Sequence, residues 1–167
     1  MTDREFFRQD ALTLAPALLG KMLVRRMPDG SEMRLRITET EAYCGVADTA
    51  CHAHKGKTGR SEILWRDGGT IYVYLCYGMH NLMNIVSGRE GEPQAVLIRC
   101  CEGYEGPGKL TKALCIDRSF NGADILACDG LRLEDDGIKV NITLDNRVGI
   151  AYADEADREA LWRFKLT

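Results

Sequence analysis

Glu41 lies in the stretch Arg34 to Gly45, RLRITETEAYCG, and its position there is unusual. Side chains of a strand alternate between two faces. Leu35, Ile37, Glu39, Glu41 and Tyr43 are therefore expected on one face, and Arg34, Arg36, Thr38 and Thr40 on the other. A face that opens with Leu and Ile and continues with two carboxylates needs a reason. A carboxylate held away from bulk water can take a proton from a nucleophile and oppose developing positive charge. Other polar residues interrupt apolar runs in the same way. Tyr72 and Tyr74 share a face of TIYVYLCYGMHNLMNIV, Tyr77 follows at YGMH, Asn84 sits inside LMNIV and Arg99 inside AVLIRC. A buried Asn or Arg without a partner costs several kcal/mol, so each implies one. Glu41 and Arg99 could satisfy each other, and an ion pair with a nearby cation is expected for Glu39.

The elements that position these residues read as follows. QDALTLAPALLGK is a short helix with Asp10 or Thr13 as N-cap, Pro16 in the first turn and Gly20 as the stop. KMLVRRMPDGSEMRLRITETEAY is a β-hairpin turning at Pro28–Gly30. A Gly-rich loop runs from Cys44 to Gly69, and Thr70 to Val86 forms two strands around a tight tip. QAVLIRC, DGLRLEDD and IKVNITLDNRVGI are further strands, GPGKLTKALCI is a helix, and ADEADREALWRF is a short charged terminal element. The pattern predicts an α+β fold. It is a single mixed domain, residues 1–167, around a curved antiparallel sheet with short flanking helices and a protruding β-hairpin.

With 167 residues, 45% hydrophobic and 28% charged, the chain can bury one substantial core. No apolar run approaches the roughly 20 residues of a membrane span, and MTDREFFRQD has no signal-peptide character. A cytoplasmic protein with no membrane partner is expected, at the nucleoid of a bacterium or in the nucleus of a eukaryote. Seven cysteines without a CxxC pair predict reduced, mostly buried thiols. The net charge of −3 opposes a polyanionic partner, yet it is unevenly spread. Residues 1–118 carry 16 Lys and Arg against 15 Asp and Glu, while residues 119–167 carry 6 against 10. A nucleic-acid face would have to be local, and HAHKGKTGR (52–60) is the best candidate, against the ordinary reading of a solvated loop.

One rival constellation is metallic. Cys44, Cys51, His52 and His54 offer thiolate and imidazole for zinc, but C-x6-C-H-x-H is not a standard zinc spacing and adjacent ligands are geometrically awkward.

RITETEAYCG, IYVYLCYGMHNLMNIV, AVLIRC, GPGKLTKALCID and RVGI…WRF occur in the order found in the alkyladenine (methylpurine, 3-methyladenine) DNA glycosylases, and the chain resembles that family over most of its length. The resemblance implies a monofunctional, monomeric enzyme of base excision repair. Such an enzyme flips an alkylated purine, and by extension hypoxanthine, out of double-stranded DNA and hydrolyses its N-glycosidic bond. It uses no metal or cofactor, leaves an abasic site and has no lyase activity. By the same resemblance Glu41 matches the catalytic carboxylate and Arg99 the arginine that holds the acid and water. Tyr43, His52 and Tyr74 match the residues that sandwich the base, Asn84 an amide at the pocket edge, and Tyr77 the aromatic that intercalates where the base has left. Tyr72 has no base contact in the family and reads as structural packing.

The chain also departs from the family. CEGYEG (101–106) shortens a segment that is usually longer and charged, and HKGKTGRSEILWRDGG (54–69) lacks the usual PRN element while keeping Lys55, Lys57 and Arg60. The alternatives are a non-catalytic nucleic-acid-binding module of the same fold, or a zinc-dependent hydrolase using Cys44, Cys51, His52 and His54.

Overall fold

The computed structural model describes residues 2–167. Two short helices, α1 (Arg4–Phe7) and α2 (Ala11–Leu18), precede the sheet. Asp10 is the N-cap of α2, its carboxylate accepting the Thr13 N–H at 3.0 Å. Pro16 lies in the second half of α2, not in the first turn as the sequence suggested. A proline there removes one helical hydrogen bond, and the helix ends two residues later. Gly20, at φ +84°, then turns the chain into the sheet, donating its N–H to the Ile37 carbonyl.

Strands β1 (Met22–Arg26) and β2 (Glu32–Tyr43) form the expected hairpin, and Asp29 in its turn accepts the Ser31 N–H at 2.9 Å. After the long loop come β3 (Ile71–Cys76), β4 (His80–Ser87), β5 (Gln94–Cys101) and the two-residue β6 (Tyr104–Glu105). Helix α3 (Pro107–Ala113), β7 (Leu131–Glu134), β8 (Ile142–Asp145), α4 (Glu155–Glu159) and β9 (Arg163–Leu166) complete the chain. Every strand pair is antiparallel. The order is β3-β4-β5-β2-β1-β7, with β6 on β5 and β9 on both β2 and β8. The α+β class, the curled antiparallel sheet and the few short helices agree with the sequence.

One face of this sheet packs on α2 and α3 through Leu14, Leu18, Ile37, Ile85, Ile98 and Leu110, all essentially without exposure. Full burial of side chains of this size stabilises by roughly 1.5–3 kcal/mol each. The opposite face carries a smaller cluster, including Cys51, Ala53, Leu64 and Tyr72, under the loop that follows β2. Strand β3 divides as expected, with Ile71 and Val73 in the main core and Tyr72 and Tyr74 on the second face.

Strand β2 does not keep the single parity predicted for it. Ile37 pairs with Cys101, Glu39 with Cys100 and Thr40 with Ile98, so the register slips after Ile37 and again after Glu39. Such a bulge exchanges the two faces of a strand. Beyond it, Ala42 joins the main core with Ile37, and Thr40 donates its hydroxyl to the Ala15 carbonyl of α2 at 2.8 Å. Glu39, Glu41 and Tyr43 turn to the second face. The acids therefore do not share a face with Ile37. The bulge places them where the main core is not.

Candidate active site

Glu41 has no solvent exposure. Its Oε2 accepts the Tyr43 hydroxyl at 2.8 Å and its Oε1 accepts the Val148 N–H at 2.8 Å. Burial raises its pKa above the usual carboxylate value. The Val148 amide, the Tyr43 hydroxyl, Arg99 and Arg147 pull it back down without cancelling the rise.

Arg99 was expected to hold Glu41, but its closer partner is Glu39. The Arg99 Nε lies 3.0 Å from Glu39 Oε1 and 3.7 Å from Glu41 Oε1. The same Glu39 oxygen receives Arg163 Nη1 at 2.8 Å. Glu39 is thus doubly ion-paired, as anticipated in kind, and Arg99 stands between two carboxylates.

Above Glu41 opens a cavity of about 650 Å³, whose lining includes Tyr43, His52, Tyr74, Asn84, Arg99 and Val148. Glu41 lies behind three of these residues, Tyr43, Arg99 and Val148, and is not itself part of the lining. His52 and Tyr74 meet edge to face with centroids 4.6 Å apart. That is too close to admit a third ring, since two stacked contacts need about 7 Å, so the pair makes one wall. Tyr72, read from the sequence as packing, is buried as expected and also lines the cavity. Its hydroxyl lies 2.8 Å from His52 Nδ1. Burial, with smaller repulsions from Arg60 and Lys55, holds the His52 pKa down to about 4, so the imidazole is neutral at physiological pH. Asn84 faces Tyr72 across β3 and β4, and its side-chain N–H donates to the Tyr72 carbonyl at 3.3 Å.

Tyr77 stands at the tip of the β3–β4 hairpin, 86% exposed. Its φ is +50°, that of Gly78 is +64°, and the Met79 N–H donates to the Cys76 carbonyl at 3.1 Å. Positive φ at both central residues marks a type I′ turn, where Asn or Gly is usual. A tyrosine held there stores roughly 1–3 kcal/mol of strain. Packing does not explain a tyrosine at this position, because the ring is in solvent at the cavity mouth.

Sequence reasoning missed a buried brace behind Tyr43. Arg147 and Asp48 form a two-pronged pair at 2.6 and 2.9 Å, both side chains essentially unexposed. The guanidinium also donates to the Ala42 carbonyl and lies 4.9 Å from the Tyr43 ring centroid and 4.8 Å from that of Trp162. RVGI pointed at Arg147 and Val148. Nothing in sequence pointed at Asp48.

The arrangement of its donors gives the metal alternative no support. No three His, Cys, Asp or Glu side chains among the described residues converge on a common point. His52 Nδ1 is turned to Tyr72, and His54 Nδ1 lies 2.7 Å from the Val46 carbonyl. All seven cysteines are unpaired thiols.

The charge distribution also becomes intelligible. Acids of the C-terminal third are taken up by the first hairpin: Asp135 by Lys21, Glu134 by Arg34 and Asp136 by Arg36. The cations Lys55, Arg60 and Lys109 stay at the cavity and an adjoining recess. Among the described residues no helix is long and apolar enough to cross a membrane.

Comparison with known proteins gives a consistent answer. The family model of methylpurine-DNA glycosylase (MPG) matches residues 5–106 and 102–167. The "Putative 3-methyladenine DNA glycosylase" of Borreliella burgdorferi (strain ZS7) is 45% identical over 175 residues, covering 97% of this chain and 94% of that relative. Proteins of the same name are 40% identical in Natranaerobius thermophilus, covering 97% of this chain and 93% of the relative, and 42% identical in Methanocella arvoryzae, covering 96% and 90%.

Proposed function

The chain belongs to the methylpurine-DNA glycosylase family, and from that membership we propose that it is a monofunctional DNA glycosylase of base excision repair. It acts as a monomer on double-stranded DNA, rotating a damaged purine into the cavity beside Glu41 and releasing the free base. The observation that carries this reading is a fully buried carboxylate directly behind a ring-lined cavity. A fold needing only stability has no use for that pairing.

The chemistry follows from the groups present. A nucleotide must leave the stack before its anomeric carbon can be reached, at a cost of a few kcal/mol. Tyr77, already exposed, enters the vacated space and offsets part of that cost. Tyr43 and the His52–Tyr74 wall take the faces of the base. A purine alkylated at N3 or N7 is cationic, so electron-rich rings attract it by about 0.5–2 kcal/mol. The neutral imidazole of His52 does not repel it.

The C1′–N bond then breaks, its electron pair leaving with the purine, and positive charge grows on the sugar. Glu41 opposes that charge. Water forms the new C1′–O bond, and its proton passes to the Glu41 carboxylate, whose burial makes it a better acceptor than an ordinary glutamate. Arg99 steadies the ionised acid, and Asn84 meets the edge of the base. The residues that carry the proposed reaction include no lysine to form a Schiff base with the sugar, so strand cleavage is not part of it. Hypoxanthine, a neutral base, leaves less readily and requires protonation as well.

The test is to incubate the protein with methylated duplex DNA in EDTA, following free purine by chromatography and strand breaks before and after alkali. Release of purine with strands intact until alkali supports the proposal. Binding without release would identify a non-catalytic module, and loss of release in EDTA would revive metal chemistry.

A further inference from the structure

Glu39 is an acid beside Glu41 that the proposed reaction does not use, and a β-bulge is spent on its placement. The register of β2 against β5 slips on both sides of Glu39, while Arg99 is passed over in the pairing. The outcome is an unequal sharing. One Arg99 nitrogen lies 3.0 Å from Glu39 and 3.7 Å from Glu41. The same Glu39 oxygen that meets Arg99 is also held by Arg163 at 2.8 Å, and Arg163 is anchored by Asp145 at 2.7 Å and by the Asn146 carbonyl at 2.6 Å. We infer that Glu39 is a positioning residue for the reaction, drawing Arg99 partly away from Glu41 so that Glu41 receives only a fraction of that cation.

The physical case rests on what an undivided Arg99 would do. A guanidinium paired fully with a buried carboxylate lowers its affinity for a proton, and a weaker base is a weaker acceptor for the proton of water. Regular pairing of β2 and β5 would remove the bulge that sets Glu39 beside Arg99. The shared arrangement keeps Arg99 at the cavity wall, next to Glu41 without neutralising it. Arg163 keeps Glu39 from taking Arg99 entirely.

The groups that face Glu41 are few. On its own strand these are Glu39 and the Tyr43 hydroxyl, and from β5 Arg99. The segment after β8 supplies Arg147, the Val148 N–H and Tyr152, and β9 supplies Arg163. Glu39→Gln removes the competing charge and keeps the shape. Arg163→Gln does the reverse, leaving Glu39 to draw more of Arg99.

The inference rests on the reading of Glu41 as the ionised group of the reaction. The measurement is therefore the pH profile of kcat/KM for base release, taken beside a carbon-detected NMR titration of the Glu41 carboxyl in the resting protein. Glu39→Gln should move both the acid limb and the Glu41 titration to lower pH by about half a unit or more, and Arg163→Gln should move both to higher pH. A circular-dichroism melt of each variant establishes that it is folded. Equal loss of activity at every pH, with an unmoved Glu41 titration, would mean a merely structural Glu39 and would overturn the inference. So would an upward shift in Glu39→Gln. Retention of activity by Glu41→Gln would instead defeat the underlying reading, while the NMR titration would still report whether Glu39 acts on Glu41.

Discussion

The Tyr43 hydroxyl donates to Glu41 Oε2 at 2.8 Å, although the two residues stand only two apart on the same strand. Same-face neighbours on a strand lie about 7 Å apart, and only a long, rigid side chain curling back can span that gap. The ring that lines the cavity is thus tied to the acid behind it. Arg147 packs against the same ring from the buried brace. In the proposed reaction this tie would couple base binding to the chemistry through Tyr43.

The first prediction concerns stability and pH. Folding raises the pKa of Glu41, mainly by burial. Below the ordinary glutamate value both states hold the proton. Between that value and the raised one the folded chain keeps a proton that the unfolded chain has released, so stability falls as pH rises through this window. Glu41→Gln lacks the effect, and its advantage in thermal melting should grow from acid to neutral pH. His52, held down to about 4, contributes the opposite slope, with stability lost as pH falls from about 6.5 toward 4. Because His52 is present in both proteins, the difference between their melting curves isolates Glu41.

Tyr77 should show a separation of stability from activity. Glycine relieves the left-handed backbone and should stabilise the fold by about 1 kcal/mol, seen as a higher denaturation midpoint. The same change should slow excision from duplex DNA far more than from single strands. Phenylalanine should keep most activity, since the flat ring remains. Equal losses on duplex and single strands would remove the wedge role.

Asp48→Asn should leave Arg147 charged, buried and without its partner. Breaking such a pair costs roughly 3–5 kcal/mol, measurable by urea denaturation. Asp48 also accepts the Cys44 and Ala50 N–H groups, so the loop after β2 should become protease-sensitive in the same variant.

Tyr72→Phe removes the hydroxyl that meets His52 Nδ1. A neutral hydrogen bond of this kind is worth about 0.5–1.5 kcal/mol. The expected result is a rise in KM for methylated duplex of between about twofold and tenfold, with kcat changed less. An unchanged KM would return Tyr72 to plain packing.

Much of this was legible in the residues, and the failures share a cause. The alternation of β3, the turn at Pro28–Gly30 and the Asp10 cap are local rules, and local rules can be read along a sequence. The face of Glu41 cannot be read so, because the bulge beside Glu39 depends on how β5 pairs with β2. Parity counted from Leu35 reached the right expectation, a carboxylate held from solvent, by the wrong geometry. Arg99 on Glu39, Asp48 on Arg147 and the Val148 N–H on Glu41 span between 60 and 107 positions of sequence. Pairings of that length leave no periodic trace in a single chain. Tyr72 is buried packing as expected, and only its hydrogen bond to His52, 20 positions away, lay outside what the sequence showed.

The central claim is that ionised Glu41 drives departure of the purine, and single-turnover release from methylated duplex DNA tests it most directly. Native protein and Glu41→Gln should be compared at saturating protein, with DNA binding of both measured in the same buffer. The account predicts similar binding and a fall of at least about a thousandfold in the release rate for the variant. Similar binding with release rates within about tenfold would contradict it.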